Sequence, residues 1–309
     1  MDNHWHARIL RWGQFGALVV VASLQGCGGG GGSGSGNDSD GTSSPPTVSL
    51  QSSAADAKVN FPVTISWTAS NASTCTASGA WSGSKASNGS EEVIVGVDGS
   101  NAYTLTCSNS ANQSQAKTVT VTGQPVCEHA STADGTLVSN IGELRDALSV
   151  LGGNGVDDKV YLAAGLYRPQ ATIVYDAMGS TEKVSLIGCA AEDVELDGQG
   201  LTRIFHFQKN GEIGDAAAWQ MSTIGNPPYP KLRLENMTIR NGDSGSDSHK
   251  WGYSGGAMLV ERYDTELDRM RFINNREANE GGAVNGVADV TISNSTFLNN
   301  TSRMGGGAI

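Results

Sequence analysis

Gly255-Gly256-Ala257-Met258, Gly281-Gly282-Ala283-Val284 and Gly306-Gly307-Ala308-Ile309 recur at spacings of 26 and 25 residues, and Phe272-Ile273-Asn274-Asn275 and Phe297-Leu298-Asn299-Asn300 stand between them, also 25 apart. An earlier copy reads Ile239-Arg240-Asn241-Gly242. Periods in this range mark an architecture of stacked repeats. Within one period the apolar positions fall in short alternating runs, such as Val290 and Ile292 ahead of Phe297, split by Asn or Gly; no run is long enough for a helix. Three short strands separated by bends make a coil, and coils stacked at ~4.8 Å form parallel sheets whose ladder bonds satisfy the backbone. Paired glycines permit the tight corner and the close approach of successive coils. Asn at equivalent bends is expected to stack into an internal hydrogen-bonded ladder, with Asn236 and Asn294 as its members and Arg269 interrupting it in the middle repeat.

The pattern extends upstream. Ile141, Leu144, Leu148 and Leu151 fall at helical spacing behind Asn140, with Glu143 completing a capping-box pair, so a short N-terminal helix is expected to cap the open end of the stack. Such a cap covers apolar cross-section and unpaired strand edges. Asp158 to Tyr167 reads as strand, turn and strand, and Val184 to Cys189 and Val194 to Asp197 continue it. The module is assigned to residues 124–309, and because the chain stops inside a repeat it is expected to be truncated at its C-terminus.

Composition agrees with an all-β fold class. Gly 41, with 17% charged and 6% aromatic residues, suits short strands and turns. The net charge of -11, with 20 scattered basic residues, argues against a nucleic-acid partner, which needs clustered Lys and Arg.

The N-terminus carries an address. Arg8 and Arg11 precede an apolar run from Ala17 to Leu24 that is too short for a mature membrane span, as in a signal peptide over residues 1–26. Leu24-Gln25-Gly26-Cys27 resembles the lipobox of bacterial lipoproteins, with Gln25 where a small residue is usual. The resemblance implies lipidation of Cys27, membrane attachment and, with Gly28 following the Cys, sorting to the outer membrane and cell surface. Residues 27–45, rich in Gly and Ser, form a flexible tether behind that anchor.

Setting Cys27 aside leaves Cys75, Cys107, Cys127 and Cys189. Export means an oxidising compartment, so two disulfides are expected, with three pairings open in principle. Domain boundaries select Cys75 with Cys107 and Cys127 with Cys189. Residues 46–123 hold the first pair. There Thr47–Gln51, Phe61–Thr68, Thr74–Ser78, Glu91–Val97, Ala102–Ser108 and Lys117–Thr122 are strand-like runs between Asn, Gly and Ser turns, as in a β-sandwich. Alternation places Val63, Ile65 and Trp67, and Tyr103, Leu105 and Cys107, on buried faces. The segments Trp67 to Gly79 and Tyr103 to Cys107 resemble bacterial immunoglobulin-like repeats, in which a disulfide joins the two; the role expected here is a spacer, with Trp81 the one prominent aromatic left over for a surface.

The Gly-Gly-Ala-aliphatic motif alternating with Phe-x-x-Asn resembles the repeats of polymorphic outer membrane proteins and related pectin-lyase-like proteins. That likeness covers Leu232 to Ile309 clearly and extends faintly back to about Val126. It implies a right-handed parallel β-helix, a single-stranded solenoid behind the capping helix, and a role in adhesion or in binding polysaccharide or a host or cell-surface protein. Insertions at Asn210 to Pro230 and Gly242 to Tyr253 are its candidate recognition loops. The other reading is a carbohydrate-active lyase or hydrolase, which needs Ca2+-binding carboxylates with a basic residue, or paired carboxylates, on neighbouring coils. Asp264, Glu266 and Asp268 are the catalytic candidates, alternating on one strand face beside Arg269 and Arg271. Asp243 and Asp247, in a polar insertion, are the candidates for Ca2+, and His206 is expected as a packed or edge residue. No Ser-His-Asp order or zinc-ligand spacing is present.

Overall fold

The computed structural model describes residues 43–151, 156–176, 182–208, 229–245, 255–277, 281–286, 288–303 and 305–309. The lipidation site Cys27 and most of the tether lie outside these residues, as do Asp247 and most of both candidate recognition loops. The described chain is mostly β, which the composition suits, its sheets include parallel ones, and among the described residues one helix is present.

The first eight strands are β1 (Thr47–Ser52), β2 (Asp56–Lys58), β3 (Pro62–Ser70), β4 (Thr74–Gly79), β5 (Gly83–Lys85), β6 (Asn88–Ile94), β7 (Gly99–Ser108) and β8 (Ser114–Gln124). They form two sheets, in the orders β1-β3-β6 and β2-β8-β7-β4-β5. Every pairing is antiparallel except β2 beside β8. The alternation in β3 and β7 buries Ile65 and Trp67 from one sheet and Tyr103, Leu105 and Cys107 from the other in one core. Cys75 and Cys107 face each other across β4 and β7 and are bonded. Trp81 corrects an expectation. It is 6% exposed, packed edge-on against Trp67 at 5.4 Å and Tyr103 at 6.3 Å, and its indole N–H donates to Thr104 O at 3.1 Å. The Lys85 ammonium covers the ring at 5.0 Å, so this tryptophan supplies core rather than surface. Two strands were not foreseen: β2 and β5 are three-residue polar pieces, Asp-Ala-Lys and Gly-Ser-Lys, with no period to read.

After β9 (Thr136–Val138) and α1 (Ile141–Leu151), the described residues hold fourteen further strands: β10 (Asp158–Leu162), β11 (Gly165–Tyr167), β12 (Ile173–Asp176), β13 (Lys183–Gly188), β14 (Val194–Asp197), β15 (Phe205–Gln208), β16 (Lys231–Glu235), β17 (Thr238–Arg240), β18 (Met258–Val260), β19 (Asp264–Asp268), β20 (Arg271–Ile273), β21 (Val284–Gly286), β22 (Val290–Ser293) and β23 (Thr296–Leu298). The chain visits three sheets in turn, ordered β22-β19-β16-β13-β10-β9, β11-β14-β17-β20-β23 and β12-β15-β18-β21, with parallel pairing throughout. One passage through the three we call a rung.

Register makes like stack on like. Val160, Leu186, Leu234 and Leu267 form one inward column, which Ile292 continues in register but at 37% exposure. Tyr167, Leu196, Ile239, Phe272 and Phe297 form another, the last two rings stacked at 4.9 Å. These columns belong to one continuous core, into which α1 inserts Leu144 and Leu148, both buried. The helix starts as anticipated, Asn140 Oδ1 accepting from Glu143 N–H at 3.0 Å. The Glu143 carboxylate reaches one residue further back than a capping box requires, to Ser139 N–H at 2.7 Å.

Corners explain the repeated motifs. Asn236, Arg269 and Asn294, each just after a strand of the first sheet, have φ of 56°, 51° and 48°. These are left-handed positions that Asn tolerates best, so they serve the bend and do not form the internal ladder expected of them. The ladder lies elsewhere. Asn275 is fully buried; its amide N–H groups reach Ile239 O at 3.1 Å and Asn300 Oδ1 at 2.9 Å, and its Oδ1 accepts from Gly242 N–H at 2.8 Å. Asn300 repeats the upward contact, donating to Phe272 O at 2.9 Å. In each Asn-Asn pair the first residue turns the chain, with φ 55° at Asn274 and 54° at Asn299, and the second satisfies buried backbone.

Candidate functional site

The outer face of the first sheet carries most of the ionised side chains considered as chemistry. In β19, Thr265 and Leu267 point inward, so Asp264, Glu266 and Asp268 share the outer face, as their spacing implied. Register sets them beside Lys231, Arg233 and Glu235 of β16, and sets Glu266 and Asp268 beside Thr291 and Ser293 of β22. Arg233 binds Glu266 at 3.0 Å and Glu235 at 2.8 Å, and lies 3.7 Å from Asp268; Lys183 reaches Glu266 at 3.4 Å. Arg269 clasps Glu235 and lies 2.8 Å from Asp268, which also accepts from Ser293 and Asn294.

The Arg233 hydrogen bond holds the Glu266 carboxyl below its ordinary range, and the Asn294 and Ser293 hydrogen bonds do the same for Asp268. A general acid needs the opposite shift, so these groups suit fixed negative charge in an ion-pair network rather than proton delivery. The pH dependence follows from the sign. A carboxyl with a depressed folded-state pKa adds stability that is complete above its unfolded value of about 4 and is lost as pH falls through the folded value. Asp268→Asn is therefore expected to unfold at lower urea than the parent at pH 7, with the gap closing in strong acid. A gap of the same size at both pH values would show that the Asp268 charge contributes nothing.

A second polar site lies where the chain leaves the second sheet. A cleft of about 470 Å³ is lined by Asp197, Gln199, Asn241, Asp243, Asn274 and Arg276, with Gly200 and Gly242. Asp197 accepts from Gln199 N–H and the Asn241 amide, both at 2.9 Å, and pairs with Arg240 at 3.1 Å. Asp243 accepts from Gly245 N–H at 2.9 Å on one oxygen and pairs with Arg276 at 2.5 Å through the other. With both oxygens engaged and a guanidinium alongside, Asp243 does not fit a Ca2+ ligand. Among the described residues no cluster of three or more His, Cys, Asp or Glu side chains could hold a metal ion.

His206 is buried on the outward side of β15, with Nε2 3.6 Å from Glu261 Oε1. That burial agrees with a packed residue. Among the described residues no helix is long and apolar enough to cross a membrane.

Sequence reasoning missed Arg233, Arg276 and Asp193. Arg233 had a signal in the alternation Leu232-Arg233-Leu234-Glu235, but its partner Glu266 lies 33 residues on, outside the 25-residue period. Asp193 is 8% exposed; it pairs with Lys58 at 2.5 Å and accepts from Cys127 N–H at 2.9 Å. Cys127 is bonded to Cys189. Both disulfides drawn from the domain boundaries are thus formed. No protein-family model matches the chain, and no curated protein matches it significantly.

Proposed function

We propose that the chain is a lipid-anchored protein of the bacterial outer membrane and cell surface. In this reading an immunoglobulin-like β-sandwich carries a right-handed parallel β-helix outward, and the β-helix binds a polysaccharide or a cell-surface protein without chemistry. The observation that carries the non-catalytic part is the neutralisation of Glu266, Asp268 and Asp243 among the candidate carboxylates, each of them tied to Arg or Lys. Repeated passage through three in-register parallel sheets supports the β-helix, and the resemblance to polymorphic outer membrane protein repeats supports surface display. The Leu24-to-Cys27 motif supports the anchor.

The test uses the full-length mature protein against acidic and neutral polysaccharides, with and without Ca2+, following bound protein together with new unsaturated or reducing ends. Binding without products is the expected result. Product formation would replace this reading with a lyase or hydrolase. In parallel, Cys27→Ser is expected to leave the membrane fraction, and retention there would refute the anchor.

A further inference from the structure

The disulfide Cys127–Cys189 joins the strand-to-strand link after β8 to the turn that follows β13, closing a loop with a sequence separation of 62 residues. Inside that loop lie the capping helix α1 and strands β9 to β13. A pull on the chain from the N-terminal side passes β8, travels three residues from Gln124 to Cys127, and there meets a covalent bridge to Cys189. From these connections we infer that the protein is a load-bearing link in which the disulfide shunts tension past the cap and the first rung. This rests on the anchored reading for its biological setting, though the mechanics do not depend on it.

Three further features lie on the same path. First, β2 runs parallel to β8, with Asp56, Ala57 and Lys58 opposite Thr122, Gly123 and Gln124. Tension entering at the start of β2 and leaving at the end of β8 slides the two strands along each other. The bonds between them, Thr122 N–H to Ala55 O at 2.9 Å and Val59 N–H to Gln124 O at 3.0 Å, are then strained together rather than opened in sequence.

Second, the joint is braced on both sides of the bridge. Asp193 receives Lys58 on one oxygen and Cys127 N–H on the other, Lys58 also donates to Glu192 O at 2.7 Å, Asn60 donates to Ala164 O at 3.1 Å, and Arg168 pairs with Glu92. Third, the load enters behind β13, a strand flanked on both sides by β10 and β16, and so reaches an interior strand rather than an edge. Without the bridge the same pull would act first on β9 and α1, the end of the stack, where the least chain is packed.

The experiment is single-molecule pulling on the full mature chain between handles at its two ends, comparing the oxidised parent with Cys127→Ser/Cys189→Ser. At ~3.3–3.6 Å per extended residue the loop stores about 200–220 Å. The variant is expected to show an added release of that size at lower force than any event of the parent. Release of that length only together with the rest of the module, at unchanged force, would overturn the inference, as would a parent that already yields it.

If the variant does not fold, the folded parent held at constant force in reductant decides the matter. A step of about 200–220 Å whose rate rises with force is expected, and force-independent reduction without a step would remove the bond from the load path. Neither assay contains a membrane or a ligand, so failure of the binding and anchoring tests above is distinguishable from failure here.

Discussion

Gly256→Ala is expected to give either no folded protein or a product melting at least ~5–10 °C below the parent, a cost on the order of 3 kcal/mol for an overpacked site in a chain of this size. A Cβ on Gly256 would stand 2.5 Å from Gly282 O and closer still to Arg276 O, both backbone atoms of the next rung. Neither can swing aside as a side-chain tip can. Relief would need the rungs to part, breaking the bonds alongside: Ala257 N–H to Ala283 O at 2.9 Å and Met258 N–H to the same oxygen at 3.0 Å. Gly282 repeats the arrangement against Gly307 O, which explains why the glycine pair returns in each repeat. Gly96→Ala is the control, since a Cβ there meets nothing within 4 Å and its φ is not positive. Equal melting of the Gly256→Ala protein and the parent would refute this account of the glycine pair.

Asn275→Ala is expected to lower unfolding stability by about 2–4 kcal/mol, because it strands two buried backbone groups at once and each unpartnered group costs about 1–3 kcal/mol. Gly242 N–H and Ile239 O lose their side-chain partner, while Asn300 Oδ1 keeps the backbone N–H of residue 275. Asn275→Asp separates hydrogen bonding from volume. It keeps an acceptor for Gly242 N–H but turns a negative charge toward two oxygens, so burial and those neighbours raise its folded-state pKa. Its deficit should be large at pH 7 and shrink as acid protonates it. Asn274→Ala, one residue earlier, alters only a left-handed bend and should cost about 1–2 kcal/mol. Urea unfolding of the three variants at two pH values checks the ranking. Equal losses at positions 274 and 275 would mean that the ladder has no special weight.

That pair of neighbouring asparagines also marks where reading the sequence runs out. The repeat, the capping helix and both cysteine pairs are visible from spacing alone, because apolar period, cap residues and domain limits act locally. Which Asn of a pair turns the chain and which faces inward depends on the φ of a single residue, and the two have the same chemistry. Asn236 and Asn294 stand at equivalent places in their repeats, with Arg269 between them, yet they sit at bends.

The charged face was half legible for a similar reason. Alternation put Asp264, Glu266 and Asp268 on one side of β19, but the pairing of Glu266 with Arg233 and Lys183, and the approach of Arg233 to Asp268, depend on cross-strand register. Insertions move those partners to other intervals in the sequence. Trp81 was misjudged because no pattern in Ala80-Trp81-Ser82 shows that Trp67 and Tyr103 close over it.

The register of the first parallel sheet has one more consequence. Lys183 aligns with Lys231, Lys231 with Asp264, and Thr265 with Val290. Successive circuits therefore consume 48, 33 and 25 residues while advancing by one ladder spacing of ~4.8 Å each. Length along the chain and height along the stack are decoupled in this molecule. Segments at the corners can grow, shrink or be exchanged between descendants while every other address on the stack stays where it was, so the part of the protein most free to diversify is the part that disturbs its neighbours least.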